Sequence, residues 1–437
     1  MKMSAFLPLL VTLLSAAATL PSEALSVRGQ LLKSQTFLSP PIFLRPGSVS
    51  NKWYHDIAFP RGHLALKSFN AEVVDDHGVP VPLHETYLHH WVVEPYYAPK
   101  DDAAGEARNR SKMIRHRNSG VCSQTLGQYY GLGSETRHTA TWVPDPYGIE
   151  IGDPAAAPEG YEERWLVNVH AIDTRGAVDK LGCTECRCDL YNLTVDEFGR
   201  RIADDYAGGL LCCYDETRCK VEEGFVDVEA RKVFLRYTVV WQDWSDAVLP
   251  VKIYIFDVTD RALLEGKTET ACRVEYLVEE CSSENRAKND CVHVQVAKQI
   301  LPRGGDIVFG VAHLHSGGIA ASLHGEDGRL LCESTATYGD GQEAGNEADY
   351  IVGMSTCYPK PGAVTVRDGE VLTVVSNYSS HQQHTGVMGL VYILVAEHGQ
   401  PQPQPQPQQL PAAAGKPGLC FSFPVSWCLP SWLSSNL

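Results

Sequence analysis

Five histidines and one methionine supply the donor atoms on which metal chemistry could be built. Tyr87-Leu88-His89-His90-Trp91 sets two adjacent imidazoles inside an apolar, strand-like run. His170 closes another such run, Trp165-Leu166-Val167-Asn168-Val169-His170. His313-Leu314-His315 is followed by Ser316-Gly317-Gly318, and Met388 lies in Gly386-Val387-Met388-Gly389, just ahead of the apolar stretch Leu390 to Val395. In a strand, residues i and i+2 point to one face, so His313 and His315 can chelate a single ion. The two glycines behind them leave room for backbone or ligand. His89 and His90 are neighbours and would point to opposite faces, so joint ligation requires a β-bulge or a strong twist there. Taken singly, His170 reads as a satisfied core histidine and Met388 as core filling.

The elements that must position these side chains read as strands. Short runs rich in Val, Ile, Tyr and Trp, such as Lys232 to Trp241, Val251 to Val258 and Glu370 to Val375, are separated by clusters of Gly, Pro and Asp. Long stretches of helical period are absent, which is the pattern of an all-β, sandwich-type chain. A Cys-rich insert from about 181 to 220 holds Cys183, Cys186, Cys188, Cys212, Cys213 and Cys219. The Cys183–Cys186 spacing could suggest zinc, but in an exported chain disulfides are the expectation, with a connectivity that sequence does not reveal.

Export is indicated by the N-terminus. Lys2 precedes the apolar run Phe6 to Leu20, and Ser22-Glu23-Ala24 offers a small-x-small cleavage site, so residues 1–24 read as a signal peptide. Of the 14 Cys, 12 lie between Cys122 and Cys357, and sequons stand at Asn109, Asn192 and Asn377, as in an extracellular glycoprotein. The formal charge of -16 argues against a nucleic-acid partner, and the basic run Arg108 to Arg117 reads as a solvated loop. Residues 399–437 form a Pro/Gln spacer and tail. Their apolar segment, Leu419 to Leu433, is broken by Pro and Ser, which argues against a stable membrane span; a lipid-anchor signal is the lesser reading.

The ordered set HH, VH, HxH and a distant Met before an apolar strand resembles that of the type II copper, ascorbate-dependent monooxygenases, the peptidylglycine α-hydroxylating and dopamine β-hydroxylating enzymes. The likeness extends to Trp142 to Gly148, Asp368 to Leu372 and His384 to Leu394, and covers roughly Leu83 to Glu397. A plant group, the stress up-regulated nodulin-type proteins, is more similar still. The segments that carry that resemblance are His84 to Glu94 (HETYLHHWVVE), His313 to Gly318 (HLHSGG), Tyr350 to Pro359 (YIVGMSTCYP) and His384 to Glu397 (HTGVMGLVYILVAE).

The resemblance implies two jelly-roll-like β-sandwich domains, about 28–262 and 268–398, facing a solvent-filled cleft. It implies two coppers per chain. His89, His90 and His170 would form a three-imidazole site that relays an electron. His313, His315 and Met388 would form the catalytic site that takes dioxygen, the thioether suiting Cu(I). Ascorbate would be the reductant, and the product a hydroxylated carbon of an unidentified small-molecule or peptide substrate.

Two other classes stand beside this one. One is a non-catalytic extracellular copper-binding stress protein; the other is a jelly-roll cell-wall or carbohydrate-binding module with structural histidines. His381 and His384 read as exposed loop residues, and His84 and His324 as structural. Ser316 lacks the surroundings of a nucleophile elbow.

Overall fold

The computed structural model describes residues 23–27, 30–101, 112–118, 121–267, 271–288 and 290–399. The Asn109 sequon, the Pro/Gln tail and all but the last two residues of the expected leader lie outside them.

In chain order the strands of the first half are β1 (Glu23–Val27), β2 (Gln30–Leu38), β3 (Ile42–Leu44), β4 (Val49–His55), β5 (Leu64–Asp75), β6 (Thr86–Pro99), β7 (Ile114–Arg115), β8 (Tyr147–Ile151), β9 (Tyr161–Asp173), β10 (Arg231–Asp243) and β11 (Leu249–Pro250). Those of the second half are β12 (Lys252–Asp257), β13 (Glu275–Val278), β14 (Val292–Ile300), β15 (Gly305–Leu314), β16 (Gly318–His324), β17 (Leu330–Tyr338), β18 (Ile351–Met354), β19 (Thr365–Val366), β20 (Val371–Ser379) and β21 (His384–Glu397). The expected all-β, sandwich-like fold is what the chain adopts.

In the first half, a seven-stranded sheet runs β1-β2-β10-β5-β8-β11 with β3 beside β10, and a four-stranded sheet runs β4-β9-β6-β7. Strict alternation along β10 turns Val233, Leu235, Tyr237 and Val239 inward. Phe69 of β5 stacks on Trp91 of β6 at 5.1 Å between ring centroids, which joins the two sheets face to face. The second half has one sheet ordered β12-β21-β15-β19, with β13 also on β21, and another ordered β14-β20-β16-β17-β18. β21 is central and buried over almost its whole length, which accounts for its unbroken apolar sequence.

The sheets divide the chain earlier than the expected boundary near 262. β12 pairs with β21 from Lys252↔Val395 to Asp257↔Leu390 and so belongs to the second half's sheet. One contiguous apolar core spans both halves, from Ile42 to Val395. Burying each large apolar side chain stabilises the fold by about 1.5–3 kcal/mol.

Six disulfides pair the 12 body cysteines, compatible with an extracellular protein. The CxxC cysteines do not form a zinc pair: Cys183 bonds Cys219 and Cys186 bonds Cys213, while Cys188–Cys212 completes the insert. Cys122–Cys272 ties the first half to the second. Among the described residues, no helix is long and apolar enough to cross a membrane.

Candidate metal centre

The adjacent histidines sit where the ladder is broken. β6 pairs with β9 through Leu88↔Ala171 and then His90↔His170, a register shift that leaves His89 as the bulge residue. The bulge turns both imidazoles to one side, as their joint use requires. Ring nitrogens of His89, His90 and His170 all lie within 4.8 Å of one another. His313 and His315, at the end of β15, are on one face with ring centroids 5.1 Å apart. Continuing the β15–β21 register beyond Leu314↔Gly389 sets His315 opposite Met388.

These two groups meet. The ring of His89 lies 4.3 Å from that of His170 and 4.4 Å from that of His315. The first half therefore contributes three imidazoles and the second half two, to one continuous cluster. His89, His170, His313 and His315 are each no more than 2% exposed; His90 alone is partly open. Met388 is buried as well and stands outside the contiguous apolar core.

Neighbouring groups fix the ring orientations. His90 Nε2 is 2.8 Å from Asn168 Oδ1. Because Asn168 Nδ2 donates to Asn51 Oδ1 and the Lys52 carbonyl, its Oδ1 must be the acceptor. His90 therefore carries its proton on Nε2 and presents a lone pair at Nδ1, 3.3 Å from His89 Nδ1. On the other side, His313 Nδ1 is 2.6 Å from Glu135 Oε1, and Glu135 Oε2 accepts from the Gly133 amide at 3.0 Å. That carboxylate holds the proton on Nδ1 and frees Nε2 as a lone pair. Glu135 lies in a short 3-10 turn, Ser134–His138, which Trp91 Nε1 anchors through Thr136 Oγ1. The Tyr378 hydroxyl accepts from the His315 amide at 2.8 Å and donates to the Met388 carbonyl at 2.6 Å, locking those two positions together.

Burial, and after it the neighbouring imidazoles, holds the protonation of His89, His170 and His315 well below the ordinary histidine range. Backbone groups of Cys213 and Gly386 oppose the shift at His170 and His315. His90 is pushed down to about 4, by burial against the opposing pull of Asn168. Neutral imidazole is the form that binds metals.

His313 Nε2 is buried without a hydrogen-bond partner, and His170 and His315 each have at most a weak contact to a backbone group, of Cys213 and Gly386, so each of the three rings keeps at least one buried nitrogen unpaired. Each such atom costs on the order of 1–3 kcal/mol when left unpaired. A neutral imidazole offers a metal one nitrogen, so these three rings supply one unpaired donor each, and with His89 and His90 beside them the donors fit a soft-to-borderline ion such as copper.

The Cys-rich insert closes the centre from one side. A ring nitrogen of His89 lies within 4.8 Å of the bonded sulfurs of Cys186 and Cys213. Glu185 Oε1 is 2.5 Å from His384 Nδ1, and Thr385 Oγ1 donates to the Glu185 carbonyl at 2.7 Å. Glu275 of β13 accepts from Tyr206 and from the Leu210 amide of the insert.

The profile of the family described as stress up-regulated Nod 19 matches residues 30–398. The chain belongs to that family. A comparison with curated proteins gave no match. Among solved structures, the VP2 subviral particle of infectious bursal disease virus matches at 9% identity and a TM-score of 0.18, covering 84% of this chain and 72% of that one. Cucumber necrosis virus matches at 10% identity and a TM-score of 0.16, covering 87% and 91%. Likenesses that slight carry no argument.

In this Nod 19 family member the structure thus unites His89, His90, His170, His313 and His315, and strand register sets Met388 opposite His315. His381 is exposed, as expected, but His384 is not: it opens β21, is 3% exposed and pairs with Glu185. Gly317 makes room for it at φ +89, since a Cβ there would lie 2.6 Å from the His384 ring. Glu135, Asn168, Glu185 and Tyr378 carried no spacing signal.

Proposed function

We propose that the chain is an extracellular copper protein with monooxygenase-like oxidoreductase activity, drawing electrons from ascorbate. Three imidazoles, His170, His313 and His315, each with an unpaired buried nitrogen and gathered with His89 and His90 into one cluster, carry the reading. His89, His90, His170, His313 and His315 would hold copper, with Met388 as the thioether donor. Bound copper would supply one-electron redox chemistry and, when reduced, reactivity toward dioxygen. The protein's own part is to keep the rings neutral by burial, to fix the His90 and His313 tautomers through Asn168 and Glu135, and to exclude water.

The closeness of the packing favours a second reading, copper held without turnover. The two are separated by copper content of the secreted protein followed by ascorbate-driven oxygen uptake. The first reading expects bound copper, with uptake that Met388→Leu abolishes while the imidazole-held metal is retained. Bound copper with no uptake would move the function to metal holding. Protein secreted in copper-replete medium that carries no copper would overturn both.

A further inference from the structure

The two donor sets are expected to face each other across a solvent-filled cleft, each with its own ion, and the cluster has another shape. His89 touches His170 on one side and His315 on the other, at 4.3 and 4.4 Å. Ring centroids that close leave no space for a side chain between the sets. The contact is built in from both halves. Gly133 threads between them so tightly that a Cβ there would lie 2.5 Å from the His89 carbonyl and 2.7 Å from His313 Cε1. The same turn then supplies Glu135 to His313.

We infer that the five imidazoles and Met388 hold copper as one coupled centre and not as two independent ions. The inference rests on the copper reading above. In such a centre each half senses the other through His89, so occupancy and spin state in one half depend on the ligands of the other.

The test compares wild type, His170→Ala and His313→Ala for copper per chain and for the electron paramagnetic resonance of the oxidised protein. Circular dichroism and urea unfolding of each metal-free variant, set beside wild type, guard against loss of fold. A coupled centre predicts that a substitution in either half alters the signal of all the remaining copper. The wild-type spin count would also fall short of its copper content if two ions are present. If each variant loses one copper and leaves the other signal superimposable on its wild-type component, the sites are independent and the inference is overturned. Absence of copper from wild type would instead be the failure of the functional reading.

A different observation carries a second inference. On the edge strand β14, Val292 and Val294 are 47% and 54% exposed, an apolar patch on the outer sheet face that Lys298 ends further along the strand. Asn377 of the Asn377-Tyr378-Ser379 sequon pairs directly with Val294, and cross-strand partners share a face. We propose that Asn377 carries an N-linked glycan that covers this patch in the exported chain. Peptide mapping of secreted protein should find the Asn377 peptide modified. Asn377→Gln and Ser379→Ala should raise binding of an apolar dye and aggregation, whereas Ser379→Thr, which preserves the sequon, should not. An unmodified Asn377 peptide, or dye binding unchanged on its loss, would overturn the proposal.

Discussion

Glu135→Gln changes a single oxygen for an amide nitrogen in a position where neither orientation is free of cost. Glu135 is fully buried, with one oxygen on His313 Nδ1 and the other accepting from the Gly133 amide. If the new amide keeps its oxygen on His313, its NH2 faces the Gly133 N–H, donor against donor. If it flips, its NH2 faces Nδ1, the imidazole proton is driven to Nε2, and the nitrogen that would bind metal is blocked. The first orientation also replaces a charge-assisted bond by a neutral one, a net loss of about 1–2 kcal/mol. A carboxylate behind a ligating histidine typically contributes 10–100-fold to metal affinity, so copper binding should weaken by about that factor. Competition against a chelator of known affinity measures it, with urea unfolding of the metal-free variant to show an intact fold. Wild-type affinity in a folded Glu135→Gln protein would refute the claim that the carboxylate sets the His313 tautomer.

Gly133→Ala should push the Ser134–His138 turn off both His89 and His313, lowering copper affinity and costing about 1–3 kcal/mol in chemical denaturation. Replacing Cys122 and Cys272 together by Ala opens a cross-link of sequence separation 150, and chain entropy puts the loss near 5 kcal/mol, read as a lower urea midpoint. Burial raises the Asp257 carboxyl to about 6, outweighing the donors Thr259 and Val274. The native chain then holds a proton that the unfolded chain has released near 3.8. Stability attributable to Asp257 is fullest below that value and is lost as pH rises toward 6, by about 3 kcal/mol. Asp257→Asn should flatten that part of the wild-type unfolding profile between pH 4 and pH 7, and an unchanged slope would count against it.

What could be read from the residues was what depends on local pattern. Alternation and β-branched content located β10, β12 and β20 within a few residues, because strand periodicity is a property of neighbours. Side-chain parity says that His89 and His90 can act jointly only across a bulge or a strong twist, and the register shift between Leu88 and His90 supplies the bulge. Contacts between distant segments were not legible. Glu135 reaches His313 and Glu185 reaches His384 across 178 and 199 residues, partnerships made by sheet order and by the insert's disulfides. His384 misled for a related reason: His381-Gln382-Gln383-His384 has a loop's polarity, but β21 begins at its last residue and the insert buries it.

The insert also bears on how the centre could work. A solvent-filled cleft would let substrate reach between two sites, whereas here the Cys186–Cys213 bridge packs against His89, the neighbouring Glu185 holds His384, and three disulfides brace the insert. Four of the five histidines are no more than 2% exposed, and the fifth, His90, is the least buried of the set. Turnover would therefore depend on either electron transfer through His90 or displacement of the insert. Glu275→Gln distinguishes these. Glu275 grips the insert through Tyr206 and the Leu210 amide, and contributes no imidazole to the centre. If the insert must lift, loosening that grip should speed oxygen uptake, or admit a chelator faster, while copper content stays the same. If access runs through His90, both rates should remain at wild-type values, and the insert would be a fixed wall of the centre.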